Sequence, residues 1–138
     1  MRSQHPIAAL VMGVASLPAL AEGWLCVSDG HMGFEYDKSS RTWQKTTWDA
    51  EQNFVIRQPQ KQQSWAWEVA ELGRDVTTAE CGEFLQDRWL NCGAFSFDKQ
   101  VLRFVYSSTS SYFRSDAELQ KLPKPDSLFM TIGRCTTI

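Results

Sequence analysis

The sequence contains few of the residues that carry catalytic and metal chemistry. Its two histidines are His5 and His31, and its four cysteines include no CxxC pair. Structural zinc sites use closely paired ligands, and an activated nucleophile needs a base beside it. No metal, cofactor or catalytic residue is therefore predicted. Because His31 follows the turn dipeptide Asp29-Gly30, we interpret it as a solvent-exposed turn residue.

An excess of positive charge is also missing. The chain has 14 basic and 16 acidic side chains, a formal net charge of −2, and no long Lys/Arg run. A nucleic-acid or acidic-lipid partner is therefore not expected. Two carboxylates for glycoside hydrolysis could be drawn from Glu35, Asp37, Glu68 or Glu71, but their spacing selects no pair.

No apolar run is long enough to span a bilayer. The longest, residues 7–21, is broken by Pro18 and ends in the small-x-small triplet Ala19-Leu20-Ala21, whereas a membrane helix needs about 20 apolar residues. With Arg2 before it, this run predicts a secretory signal at residues 1–21, cleaved after Ala21. We expect a single domain at 22–138, periplasmic or secreted, with no stable membrane insertion after cleavage.

All the cysteines follow the predicted signal, namely Cys26, Cys81, Cys92 and Cys135. An even number in an exported chain predicts two disulfides. Three pairings are possible, and the sequence does not choose among them. We favour Cys81 with Cys92 and Cys26 with Cys135, because the second pair would tie the start of the domain to its end.

Two stretches share one layout, Phe34–Gln44 and Phe95–Tyr106. Both begin aromatic, any residue, aromatic, Asp, Lys, and a further aromatic residue follows. Asp favours turns because its carboxylate accepts hydrogen bonds from backbone amides two residues on, so each stretch predicts a hairpin. Four more strands follow from alternating apolar residues, at 24–28, 53–58, 64–72 and 128–135. These patterns predict a mainly β domain, a small antiparallel up-and-down barrel or sandwich of about eight short strands.

One segment has helical features. Thr77 and Glu80 could form a capping box, and apolar residues follow at helical spacing, so one short helix near 78–86 is an alternative to strand. A continuous helix from Cys81 to Cys92 would separate them by roughly 16 Å, beyond the approximately 7 Å that a disulfide allows. A second helical turn is predicted at 116–122.

The C-terminal half of the chain carries a set of features that occur together, namely Cys92, Phe95-x-Phe97, Leu102-Arg103-Phe104, Tyr112 and the terminal run Ile132 to Ile138. In these features it resembles a group of small exported proteobacterial proteins with a disulfide-bonded β domain. The resemblance implies export and disulfide bonding, and it carries no catalytic residue to this chain.

The tryptophans suggest where a ligand could bind. Aromatic side chains fill small β cores, and they also line binding surfaces. We assign Trp65 and Trp67, which share a face with Val69, to the core. Trp48, beside acidic residues, and Tyr112, after a serine-rich loop, are the predicted contact residues.

Together these features predict an exported binding or accessory protein of the cell envelope. Its partner would be another protein or a small amphipathic ligand. An envelope-polymer hydrolase with paired carboxylates is the alternative, and an accessory protein without a ligand is a third reading. A hollow barrel would favour a small ligand, whereas a barrel filled with Trp and Phe would move any function to the surface.

Overall fold

The computed structural model describes residues 22–49, 52–74 and 76–138, so the predicted signal lies outside the described residues. They form nine strands, one short α-helix and a 3₁₀ turn. In chain order these are β1 Gly23–Asp37, β2 Thr42–Thr47, β3 Phe54–Arg57, β4 Trp67–Glu71, β5 Thr77–Cys81, β6 Trp89–Cys92, β7 Phe95–Asp98, β8 Arg103–Ser108, the 3₁₀ turn Ser110–Phe113, α1 Asp116–Lys121 and β9 Ser127–Thr137.

The strands form one antiparallel sheet in the order β5-β4-β3-β1-β9-β8-β7-β6, and β2 pairs with β1 outside this path. Eight strands curl into a nearly closed barrel, which confirms the predicted mainly β class and selects the barrel over the sandwich. Both predicted hairpins form, as β1–β2 and β7–β8. Asp37 accepts from the Ser39 N–H at 2.8 Å and Asp98 from the Gln100 N–H at 2.9 Å, which confirms the predicted turn chemistry.

The favoured disulfide pairing is confirmed. Cys81 and Cys92 join β5 to β6, the two ends of the strand order, with their Cα atoms 4.7 Å apart. Cys26 and Cys135 are directly opposed in β1 and β9, with a Cα separation of 3.9 Å. The Cys135 N–H donates away from β1, to the Leu102 carbonyl, so this is the closer, non-hydrogen-bonded type of cross-strand pair.

Aromatic side chains fill the barrel interior. The Phe95 and Phe104 rings stack with centroids 5.3 Å apart, and Trp24 lies 5.4 Å from Trp67. Trp67 and Val69 belong to the core as predicted, whereas Trp65 precedes β4 and is only half-buried. The buried core comprises Trp24, Cys26, Phe54, Ile56, Trp67, Val69, Cys81, Leu90, Cys92, Phe95, Phe97, Phe104 and Cys135.

The helix predicted near 78–86 is wrong. Residues 77–81 form β5, in which Cys81 opposes Trp67 of β4. The Thr77 hydroxyl donates to the Glu68 carboxylate at 3.2 Å and does not cap a helix. Cross-strand pairing and the disulfide therefore outweigh the local capping signal. The helical turn predicted at 116–122 is confirmed as α1, which begins at a capping box formed by Ser115 and Glu118.

Strand β1 is longer than predicted because Asp29-Gly30 does not end it. A bulge between Ser28 and Gly30 shifts the register with β9, and the strand continues to Asp37. Its first residues pair with β3, and Met32–Asp37 pair with β2. We call β2, Met32–Asp37 and the β9 residues opposite them the extension.

The loop between β8 and β9 folds back against the extension. Gln120 donates to the Lys38 carbonyl at 3.0 Å, and the Lys38 ammonium donates to the Leu122 carbonyl. Leu119 of α1 and Tyr36 of β1 are both buried. The extension is therefore held to α1 as well as to the barrel strand β9.

Removal of either disulfide should lower the free energy of unfolding, but by different amounts. In the chain-entropy account, the shorter Cys81–Cys92 loop is worth about 3 kcal/mol and the longer Cys26–Cys135 loop about 5 kcal/mol. We expect Cys81→Ala/Cys92→Ala to lose the smaller amount in urea unfolding and to speed amide exchange selectively in β5 and β6. The matched control is Cys26→Ala/Cys135→Ala. Unchanged exchange in β5 and β6 would contradict the role assigned to the first bond.

Gly133 should be intolerant of a side chain. A Cβ at this position would overlap the Val27 carbonyl oxygen and the Phe104 ring, whereas one at Gly30 would meet nothing within 4 Å. We expect Gly133→Ala to lower the free energy of unfolding by about 1–3 kcal/mol or more, the usual cost of overpacking. Gly30→Ala is the control and should stay close to the wild-type protein. Equal denaturation midpoints for the two variants would refute this steric account.

Candidate functional site

The two predicted contact residues lie in separate surface hollows. Tyr112 lines a groove of about 630 Å³, which we call the apolar groove. Trp48 lines a hollow of about 390 Å³ beside the β1 bulge, which we call the His31 hollow. The apolar groove is lined by Phe34, Thr42, Trp43, Tyr112 and Leu128. The structure therefore does not bring Trp48 and Tyr112 into one site.

The apolar groove is built on the outer face of the extension. Phe34 of β1 and Leu128 of β9 are cross-strand partners, so their side chains lie on the same face. Trp43 contacts the buried Tyr36 on one side, with centroids 5.5 Å apart, and Tyr112 on the other, at 6.0 Å. The 3₁₀ turn thus supplies Tyr112 as one wall of the groove, and this side chain is exposed.

Exposed apolar side chains continue from the groove across β1, β9 and β8. Met32 opposes Met130, and Ile132 opposes Val105. Together with Phe34 they form what we call the apolar patch, and each of the five is between 38% and 50% exposed. Exposed apolar clusters of this kind are typical of interaction sites.

Sequence reasoning missed this patch because β9 carries apolar residues on both faces. Phe129 contacts Tyr106 at a centroid distance of 5.2 Å, and Thr131 is fully buried, whereas Met130 and Ile132 between and after them face solvent. The aromatic, any residue, aromatic pattern at Phe34–Tyr36 places both rings on one face of the strand, and the structure buries Tyr36 but leaves Phe34 exposed. The run Leu128 to Ile132 could have indicated the patch, because it is apolar at nearly every position. A strand with one solvated face usually alternates apolar and polar residues.

His31 lies in a strand and not in the exposed turn that was predicted. The bulge carries β1 past Asp29-Gly30, and the half-buried His31 ring lies 4.8 Å from Trp48 and 5.4 Å from Phe129 between centroids. Its Nδ1 is 2.5 Å from the hydroxyl of the buried Thr131. The same hydroxyl donates to Gln52 Oε1 at 3.0 Å.

In this hydrogen-bond chain the Thr131 hydroxyl donates to Gln52, which leaves its oxygen able to accept from His31 Nδ1. Thr131 is also fully buried, so its hydroxyl is not accessible as a nucleophile. The arrangement does not form a nucleophile–base pair. Burial lowers the pKa of His31, which favours the neutral ring at neutral pH.

The buried carboxylates are held by arginines. Arg57 donates to Glu68 at 2.8 Å, and Arg88 donates to Asp98 at 2.6 Å. The hydrogen bond from Arg88, with those from two backbone amides, holds the pKa of Asp98 below its usual value. A general acid in glycoside hydrolysis needs a raised pKa, so Asp98 is unsuited to that role.

The four acids considered for hydrolysis lie on two strands. Glu35 and Asp37 are in the extension, whereas Glu68 and Glu71 are in β4, which is separated from β1 by β3. Across the described ranges, no three His, Cys, Asp or Glu side chains converge in a way that could hold a metal ion.

Stability should depend on pH through His31. Its pKa in the folded protein is below the ordinary value of 6.5, so the unfolded chain binds this proton more tightly. Stability contributed by the neutral ring is full above pH 6.5 and is lost as the pH falls toward the folded pKa. We expect the urea midpoint of the chain lacking residues 1–21 to fall more between pH 7.5 and 5.5 than that of His31→Gln. Parallel pH profiles for the two proteins would contradict this expectation.

Comparisons with known proteins do not assign a role to the apolar groove or the His31 hollow. No family model, curated protein or solved structure matches the chain. The resemblance carried by Cys92, Phe95 and the C-terminal run therefore stays a prediction. Roles for individual residues rest on the geometry of this chain.

Proposed function

We propose that this chain is an exported accessory protein of the cell envelope that binds another protein through the apolar patch. The two disulfides indicate an oxidising environment outside the cytoplasm. A periplasmic or secreted location is the finer part of the proposal, supported by the signal-like residues 1–21. Within the described residues, no helix has the length and apolarity needed to cross a membrane.

The observation that carries the proposal is the contrast between the barrel's two faces. The inner face is filled by stacked aromatic rings such as Phe95 and Phe104, so the interior is core. The outer face exposes Met130 and Ile132 in the middle of the sheet, flanked by apolar neighbours on β1 and β8. Met and aromatic side chains are enriched in protein interfaces, and a large apolar patch left in water is a liability for a monomer.

The apolar groove also favours a second candidate, a small amphipathic ligand. Its volume of about 630 Å³ lies in the usual range for ligand sites. However, Phe34 belongs to both the groove and the apolar patch, so the groove is continuous with a larger exposed surface. This continuity favours a macromolecular partner that covers both. The hydrolase alternative has less support, because the buried acids Glu68 and Asp98 are already paired with arginines.

Site-specific photocross-linking in the organism that encodes the chain tests this proposal. A benzoylphenylalanine placed at Met130 should give a discrete adduct with one protein, because this position is at the centre of the apolar patch. The same group at Thr78, an exposed position in β5, is the matched control and should give none. Ile132→Lys should abolish the Met130 adduct while leaving the denaturation midpoint nearly unchanged, since the side chain faces solvent.

Two results would count against the proposal. Equal adducts from Met130 and Thr78 would show non-specific contact, and no adduct from Met130 would remove the patch as an interface. Fractionation of the same cells tests location independently. Residues 1–21 should be absent from the mature protein, which should be found outside the cytoplasm.

A further inference from the structure

The strand β2 has an open edge. The Trp48 N–H donates to the His31 carbonyl on the β1 side, and pairing continues with Thr46 opposite Gly33. Because backbone groups alternate in direction along a strand, those of residues 42, 44 and 46 face β1. The N–H and C=O groups of Trp43, Lys45 and Thr47 therefore point away from β1. They have no backbone partner among the residues that the structure describes.

This edge adjoins the apolar groove. Trp43 opposes Tyr36 and Lys45 opposes Phe34, so the side chains of Trp43 and Lys45 lie on the face that carries the groove. Trp43 is itself a groove wall. A strand added along this edge would thus place alternate side chains beside the groove, and its backbone would satisfy the unpaired groups of β2.

The charge around the edge favours an acidic occupant. Residues 38–47 contain Lys38, Arg41 and Lys45 and no acidic residue, although the whole chain is net negative. Lys38 is bonded to a carbonyl of the α1 region, whereas Arg41 and Lys45 are exposed and form no ion pair within the described part. A lysine on an edge strand also disfavours pairing with a second copy of the same strand.

We propose that the edge of β2 accepts an extended segment of the partner protein as an added strand. The segment carries an aliphatic or aromatic residue that enters the groove beside Trp43. An acidic residue two positions away meets Lys45, because both lie on the same face of the added strand. This inference rests on the proposed function and specifies the chemistry of the partner at that surface.

Binding of a short peptide tests the inference directly. The probe is acetyl-Thr-Ile-Thr-Glu-Thr-amide, and its control has Lys in place of Glu. Titration followed by amide NMR should shift and protect the N–H groups of Trp43, Lys45 and Thr47 with the acidic peptide. Equal binding of the two peptides would overturn the assigned chemistry.

Two variants separate the backbone contribution from charge. Lys45→Pro removes an outward N–H that β1 does not use, and we expect it to weaken binding by at least about tenfold. Lys45→Ala removes the charge alone and should cost about threefold or less, as exposed ion pairs do. Wild-type affinity in a folded Lys45→Pro protein would overturn strand addition.

The peptide itself provides a test that does not depend on the folding of any variant. Two probes, each N-methylated at alternate amides, block opposite edges of the same extended segment. Only one of the two should lose binding, because an added strand uses one edge. Equal behaviour of the two would overturn the inference.

The failure of this inference is distinguishable from failure of the proposed function. If the Met130 adduct persists in Lys45→Pro at wild-type yield, the patch remains an interface and the edge is not part of it. If sedimentation shows that the wild-type protein is a dimer and that Lys45→Pro is a monomer, the β2 edge binds a second copy of this chain. That result would overturn the assigned partner.

Discussion

The disulfide between Cys81 and Cys92 closes the barrel on which the other features depend. Every neighbouring pair in the strand order is joined by a backbone ladder, but its two end strands, β5 and β6, are joined by this bond. Trp67, which opposes Cys81, and Phe95, which opposes Cys92, bring core side chains to either side of the seam. One covalent link thus holds the two end strands together where no backbone ladder joins them.

Closure of the barrel also determines where function can lie. The inward faces bury enough aromatic surface that the interior is core, as the Trp24, Phe97 and Phe84 contacts show. The proposed interaction therefore uses the outer surface, and the β1 bulge gives that surface a region that lies outside the barrel. The bulge allows β1 to continue past β3, and this continuation is part of the extension, which contains Phe34 and Trp43.

Local chemistry was predictable from sequence where the residues involved are close in the chain. The turns at Asp37 and Asp98 were predicted correctly, because the hydrogen bonds that form an Asp turn involve only about four consecutive residues. The cysteine pairing was one preference among three, and the structure confirms it. Prediction failed where pairing with a distant strand determines the local structure. Thr77–Cys81 forms a strand because it pairs with β4. Asp29-Gly30 forms a bulge because β1 continues to pair with β9 beyond it.

The candidate site follows the same division. The sequence predicts Tyr112 as an exposed contact residue, and the structure confirms its exposure. Its groove partners Phe34 and Leu128 come from strands far away in sequence, so composition alone could not group them. Strand β2 lies in the same region for a topological reason. It attaches to β1 beyond the last β3 pair, and its outer edge is left open beside the apolar groove. The extension therefore combines an open edge with an exposed apolar face because β2 pairs with β1 outside the strand path of the barrel.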